Sequence, residues 1–162
     1  MEIERKFLVD KIPADLEKYS HKELEQGYLC REPVVRVRRE GEAYVLTYKS
    51  KGLMVREEYN LPLNKEAYEH LLKKADGTVI TKTRYVIPQT KDLKIELDIF
   101  HGKHEGLILA EVEFASEEEA NQYCPPEWFG EEVTFSSQYH NSVLSMERQR
   151  KNVHLLNLIN GI

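Results

Sequence analysis

Cysteine is scarce in this 162-residue chain: Cys30 and Cys124 stand far apart and form no CxxC pair. A disulfide scaffold is excluded at that content, and a reducing cytosol is the better fit. No His/Cys set has zinc-ligand spacing. The six histidines, His21, His70, His101, His104, His140 and His154, are scattered, and each is expected at the surface or in packing. The phosphate-cradling loops GxxxxGK[ST] and GxGxxG are missing as well. The N-terminus has no apolar h-region, and no apolar run approaches the roughly 20 residues of a membrane span. The expectation is a soluble, cytoplasmic protein without a membrane partner. Repeats and low-complexity stretches are lacking too. The net charge of −5 argues against nucleic acid as a partner. Any polyanion site must be local and shielded from the acidic exterior.

What the chain does have is charge, 31% of its residues, beside 41% hydrophobic ones. The length suits one domain with its own core. Most of it reads as strands with alternating character. Eight are expected, over 2–9, 26–30, 34–40, 43–50, 54–61, 79–88, 93–100 and 107–115. Gly41-Glu42 suits a tight hairpin turn, and Lys51-Gly52 a second. Asn64 can cap a helix carrying Ala67, Tyr68, Leu71, Leu72 and Ala75, with Gly77 just past its end. Ser116 with Glu119 is a capping-box pattern, and that helix must stop at Pro125-Pro126. A third helix is expected from Ser136 or Ser137, turning Tyr139, Val143 and Leu144 inward. The tail, 151–162, is apolar enough to pack on the domain and is read as a segment of its own, with a helix as one reading of its pattern, behind a domain of 1–150.

The alternation places charges in rows. Glu2, Glu4 and Lys6 share one face; Arg36 and Arg38 share another, as do Arg56 and Glu58, Lys82 and Arg84, Lys94, Glu96 and Asp98, and Glu111 and Glu113. Lys49 falls in such a row with Thr47, nearly the only neutral hydroxyl among them. The opposite faces are aliphatic and aromatic. A solvated sheet face usually mixes Ser, Thr and Gln with both charges; here Arg, Lys and Glu dominate, and like signs sit together along each strand. The expected fold is therefore mainly β: an eight-stranded, antiparallel, closed barrel with the apolar face packed outward against flanking helices and the charged face lining the lumen.

Buried charges are costly unless paired or bound to a ligand. Clustered carboxylates suit Mg²⁺ or Mn²⁺, and clustered Arg and Lys suit phosphate oxygens. Such a lumen has the residue types that phosphoryl transfer needs. Tyr28, alternating with Gln26 and Cys30, can place a phenol there.

These stretches, EIERKFLV, QGYL, VRVRR, LTYKS, REEY, TKTRY, IELDIF, LAEVEF and WFGEEVT, resemble the CYTH family of triphosphate tunnel metalloenzymes, in family order from residue 1 to about 141. The likeness is to short bacterial members similar to inorganic tripolyphosphatases. The resemblance implies a tunnel that hydrolyses a triphosphate with Mg²⁺ or Mn²⁺. It implies Glu2, Glu4, Glu111 and Glu113 as metal ligands, and Lys6, Arg36, Arg38, Lys49, Arg56 and Arg84 as the phosphate clamp, with Lys82 beside them. It implies Lys82 and Tyr28 as the pair activating the attacking water, and leaves Glu58, Glu96 and Asp98 as supporting acids. A metal-bound water as nucleophile is the alternative. Two stretches depart from the pattern: Asn60 stands where related members often carry an acid, and FSSQYHN lacks the charged residues expected beside Tyr139.

Three readings of function remain open on the residues: a tripolyphosphatase; an organic triphosphatase (ATP or thiamine triphosphate) or adenylate cyclase on the same fold, with Tyr44, Tyr48, Tyr59 and Trp128 as aromatic candidates; and a module that binds polyphosphate without cleaving it. A homodimer through the apolar outer face or the tail is a further expectation.

Overall fold

The computed structural model describes residues 1–146; the segment read as a tail, 151–162, lies outside the described residues. Nine strands form one antiparallel sheet: β1 (Glu2–Leu8), β2 (Ser20–Arg31), β3 (Val34–Glu40), β4 (Ala43–Lys49), β5 (Val55–Arg56), β6 (Glu58–Leu63), β7 (Asp76–Pro88), β8 (Lys94–Phe100) and β9 (Ile108–Glu113). Their order across the sheet is β5-β1-β9-β8-β7-β2-β3-β4-β6.

The two edges of that sheet are neighbours in the chain, separated only by Glu57. β5 pairs with β1 (Glu2 opposite Arg56) and β6 with β4 (Lys49 opposite Glu58). One extended segment thus touches both edges and draws the sheet into a nearly closed barrel. Here the sequence expectation is corrected. A single fifth strand over 54–61 is in fact two short strands serving opposite edges, so the count is nine. Lys51-Gly52 is accordingly no tight turn: β4 and β6 rejoin at Ser50 N to Glu57 O, 3.0 Å, with β5 inside the loop between them. Gly41, at φ +61°, does form the β3–β4 hairpin, where Glu40 pairs with Ala43.

The helices cover the outside. Asn64 caps α1 (Lys65–Leu72), accepting from Ala67 N at 2.7 Å. α1 lies over β2, β3 and β4. Its contact with β2 requires Gly27, because a Cβ there would meet Ala75 Cβ at 2.7 Å and Leu72 Cδ1 at 2.9 Å. Gly77 belongs to β7 rather than to the helix end. Ser116 caps α2 (Glu117–Gln122), accepting from Glu119 N at 3.1 Å, while Glu119 reaches back to Ala115 N. The expected third helix is a 3₁₀ turn over Ser137–Tyr139 followed by α3 (Asn141–Leu144).

Two apolar cores result. The outer one joins the outward residues of β1, β7, β8 and β9, among them Ile3, Ile87, Ile95, Leu97, Ala110 and Val112, to Ala120, Trp128 and Phe129. Arg5 ties this layer down. It holds Glu132 with two hydrogen bonds (2.8 and 2.7 Å) and donates to the Ala120 and Tyr123 carbonyls at the end of α2.

The inner core was not expected. Leu8, Ile80, Phe100, Leu107 and Leu109 pack together with Tyr28, Val34, Val133 and Leu144. By alternation these strand residues share the faces of Lys6, Lys82, Asp98 and Glu111. Each charged row therefore turns apolar towards the same end of the barrel, and that end of the interior is filled.

Candidate functional site

The unfilled part of the barrel is a cavity of about 530 Å³, within the usual range for a small-molecule site. Its wall carries Glu2, Glu4, Lys6, Tyr28, Arg36, Arg38, Lys49, Arg56, Glu58, Arg84, Glu96, Glu111 and Glu113. Thirteen of the fifteen residues expected from the sequence are thus on one surface. Asp98 and Lys82 are not on that wall. Both are completely buried and lie behind it, paired at 2.7 Å.

One side of the cavity is acidic. Glu4 on β1 is directly opposite Glu113 on β9, and Lys6 is opposite Glu111. Burial, then the nearby Glu111, raises the Glu4 carboxyl above its ordinary range. Burial also raises Glu113, helped by Glu58 and Glu96. Glu2 is pushed up to about 7, by burial first and then by Glu4, although Lys49 opposes the shift. Burial would raise Glu111 too, but Lys6, Arg84 and Lys82 together hold it well below the usual carboxylate range.

The other side is cationic. Arg36 and Arg38 carry buried Nε atoms with no hydrogen-bond partner. Burial and the neighbouring guanidiniums of Arg36 and Arg84 bring Arg38 down to about 10. Arg84 is engaged instead, donating to both oxygens of Asp98 (2.7 and 2.8 Å) and facing Glu96. Lys49 and Arg56 converge on Glu2 at 2.9 and 3.4 Å. Glu58, for which burial opposes ionisation, is lowered to about 2 by its hydrogen bond to Glu2 and by Lys49.

Glu4, Glu111 and Glu113, with Glu2 near by, offer the hard oxygen donors that a divalent cation takes. The crowding that raises Glu4 and Glu113 is what a cation would relieve, so the residues fit such an ion. They do not form a finished cage. Among the described residues no three His, Cys, Asp or Glu groups are already disposed around a single point, and Glu2 is turned to Lys49 and Arg56.

Several wall residues were missed or misread. His140, expected in packing or at the surface, lines the cavity with Asn141 and Ser142. Burial, then Lys6 and Arg56, lowers the His140 imidazole to about 4. Asn60 also lines the wall, between Thr47 Oγ1 (2.6 Å) and Glu58 Oε1 (3.0 Å). His140, Asn141 and Asn60 lie in the two stretches that depart from the family pattern, and the departure was the only available signal for them. Tyr44, Tyr48, Tyr59 and Trp128 are not on the wall, where Tyr28 and His140 are the only rings among the described residues.

An antiparallel β-tunnel with an acidic wall facing guanidiniums that bond no carboxylate among the described residues defines a class: a protein built to hold a polyanion together with a cation. The chain belongs to the CYTH domain family, whose profile matches residues 1–149. It is 40% identical over 148 residues to an inorganic triphosphatase of Nitrosomonas europaea, covering 90% of this chain and 97% of that one. An inorganic triphosphatase of Acetivibrio thermocellus is 37% identical over 154 residues, covering 88% and 92%. The crystal structure of an inorganic triphosphatase superposes with a TM-score of 0.68 at 38% identity, over 90% of this chain and 95% of the other. A protein from Hippeastrum shares the fold alone, at TM-score 0.59 and 16% identity, over 75% and 83%. Membership of the family implies a divalent metal ion. No helix among the described residues is long and apolar enough to cross a membrane.

Proposed function

We propose that the protein is a metal-dependent hydrolase that removes the terminal phosphate of inorganic tripolyphosphate inside the tunnel. The observation that carries this reading is the pair Arg36 and Arg38. Arg36 is buried and Arg38 half-buried, neither guanidinium bonds a carboxylate among the described residues, and an anion that supplies oxygens offsets their mutual repulsion; phosphate does so in two-pronged fashion. The similarity to inorganic triphosphatases supports the same substrate. So does the scarcity of aromatic surface on the wall, which gives a nucleobase or thiazole little to stack on.

In this reading Arg36, Arg38, Lys6, Lys49, Arg56 and Arg84 bind the phosphate chain and neutralise charge as the bridging P–O bond breaks. Glu2, Glu4, Glu111 and Glu113 hold Mg²⁺ or Mn²⁺, which when bound withdraws charge from the phosphate oxygens. A water oxygen bonds to the terminal phosphorus and pyrophosphate leaves with the bridging oxygen. The water's proton is taken by Lys82 Nζ in its unprotonated form, with Tyr28 on the wall at the filled end of the tunnel as its catalytic partner. Glu58, Glu96 and Asp98 keep the cations in place. We assign the domain to 1–150 and the protein to the cytoplasm, with two free, exposed cysteines. Nucleic acid is not a partner in this reading. Exposed Tyr59 and Leu61 on β6 are the apolar residues a homodimer would use.

The test is phosphate release from tripolyphosphate, ATP and thiamine triphosphate with Mg²⁺ or Mn²⁺. Turnover is expected to be fastest with tripolyphosphate and absent in EDTA. Binding of tripolyphosphate without phosphate release under either metal would reduce the protein to a binding module.

A further inference from the structure

Asn141 belongs to the FSSQYHN stretch that departs from the family pattern, and none of the roles above uses it. It starts α3, lines the cavity, and accepts at Oδ1 from Lys82 Nζ at 3.4 Å. A primary amide has one accepting and one donating end. With its oxygen turned to the Lys82 ammonium, its NH₂ must point elsewhere, because the flipped amide would set donor against donor. Among the described residues that NH₂ has no hydrogen-bond partner.

The short helix that presents the amide is tied from behind at three points. Arg31 Nε donates to the Ser142 carbonyl (3.0 Å) and its Nη2 to Ser145 Oγ (2.9 Å). Thr78 N donates to the Ser145 carbonyl (2.8 Å). His104 Nε2 lies 2.7 Å from the Leu144 carbonyl. Leu144 itself is anchored in the inner core that fills this end of the barrel. Asn141 is therefore held at the closed end of the tunnel.

We propose that Asn141 is a substrate-contacting residue: Lys82 fixes its amide so that the NH₂ donates to an oxygen of the phosphoryl group deepest in the tunnel. The inference rests on the tripolyphosphatase reading. It also explains how Lys82, which is completely buried, communicates with the cavity. A neutral donor at the closed end suits a terminal phosphate, whose oxygens accept hydrogen bonds without another carboxylate or cation being added to a crowded wall.

The test compares Asn141→Asp with Asn141→Ala. Aspartate keeps the oxygen that Lys82 needs and removes the donor. Asn141→Asp is expected to lower kcat/KM for tripolyphosphate by about 100-fold, the usual loss for one transition-state donor, and to weaken metal-free tripolyphosphate binding by calorimetry. Asn141→Ala is expected to lose no more than Asn141→Asp. An active Asn141→Asp beside an impaired Asn141→Ala would mean that the residue only holds Lys82, and would overturn the proposal. Should the aspartate variant not fold, Asn141→Ser retains a donor and is expected to outperform Asn141→Ala; the reverse order counts against the proposal. Wild-type protein that neither binds nor cleaves tripolyphosphate would remove the parent reading. Full wild-type activity with an unaffected Asn141→Asp removes this inference alone.

Discussion

Glu4 and Glu113 face one another directly across β1 and β9. Like charges opposite each other in a sheet destabilise it, by up to roughly 1 kcal/mol, and the partial burial of Glu4 adds to the cost, although Glu113 is exposed. The pairing makes sense as a cation site that the metal-free fold tolerates at a loss. Glu4→Gln is therefore expected to raise the melting temperature of the metal-free protein by about 2–4 °C while abolishing both activity and the stabilisation conferred by Mn²⁺. Thermal melts with and without Mn²⁺ read both effects. A lower melting temperature for Glu4→Gln in EDTA would show that the carboxylate serves the fold instead.

Lys82 supplies a pH dependence. Its ammonium is brought down from 10.5 to about 8, chiefly by burial; Asp98 opposes the shift and Arg84 adds to it. A lysine whose folded pKa is depressed binds its proton less readily in the native state. Stability is therefore expected to rise with pH across the window from about 8 to 10.5, and this rise should be missing in Lys82→Met. If Lys82 accepts the proton, kcat should also rise through its half-maximum near pH 8 towards a plateau above that pH, and Lys82→Arg should lose activity at every pH. Denaturant midpoints and rate profiles measured between pH 7 and 10 check both. A kcat profile identical in wild type and Lys82→Arg would remove the lysine from the chemistry.

Arg5 sits between Glu4 and Lys6 in the sequence but does not serve the tunnel. It binds Glu132 and two carbonyls near the end of α2 on the outside of the barrel. Arg5→Ala should cost about 2 kcal/mol, the scale for hydrogen bonds to a charged group, or about 4–8 °C in melting temperature. The KM for tripolyphosphate should not change at a temperature where the variant is folded. A selective rise in KM without loss of stability would contradict this division of labour.

Met1 lines the cavity while remaining 81% exposed, and Glu2 follows it on the wall. An N-terminal peptide extension is thus expected to crowd the acidic side and raise the metal concentration needed for half-maximal activity. The same extension at the C-terminus should be less harmful. Equal metal dependence of the two fusions would argue against this placement.

Much of the site was legible because it repeats with period two. Glu2, Glu4 and Lys6, or Arg36 and Arg38, are bound to share a face in any strand, and the apolar residues between them to share the other. Boundaries were less legible. β2 and β7 begin before their expected starts, since polar residues such as His21, Glu23 and Asp76 are carried by pairing with neighbours rather than by their own pattern. Asn141 and His140 had no periodic signal, because they reach the cavity from the start of a short helix that the inner core and hydrogen bonds from Arg31, Thr78 and His104 position.

By itself, then, the sequence determined two chemically distinct faces and the residue types on each, because side-chain alternation is a local property of an extended chain. Only the tertiary structure decided that one face became an interior. That depended on one segment, 55–63, pairing with β1 at one edge and with β4 at the other. It also decided which end of the interior is filled, setting Lys82 behind the wall and Asn141 on it. Those outcomes come from contacts between residues far apart in the chain, such as Lys82 with Asn141 and Arg31 with Ser145, which no local period encodes.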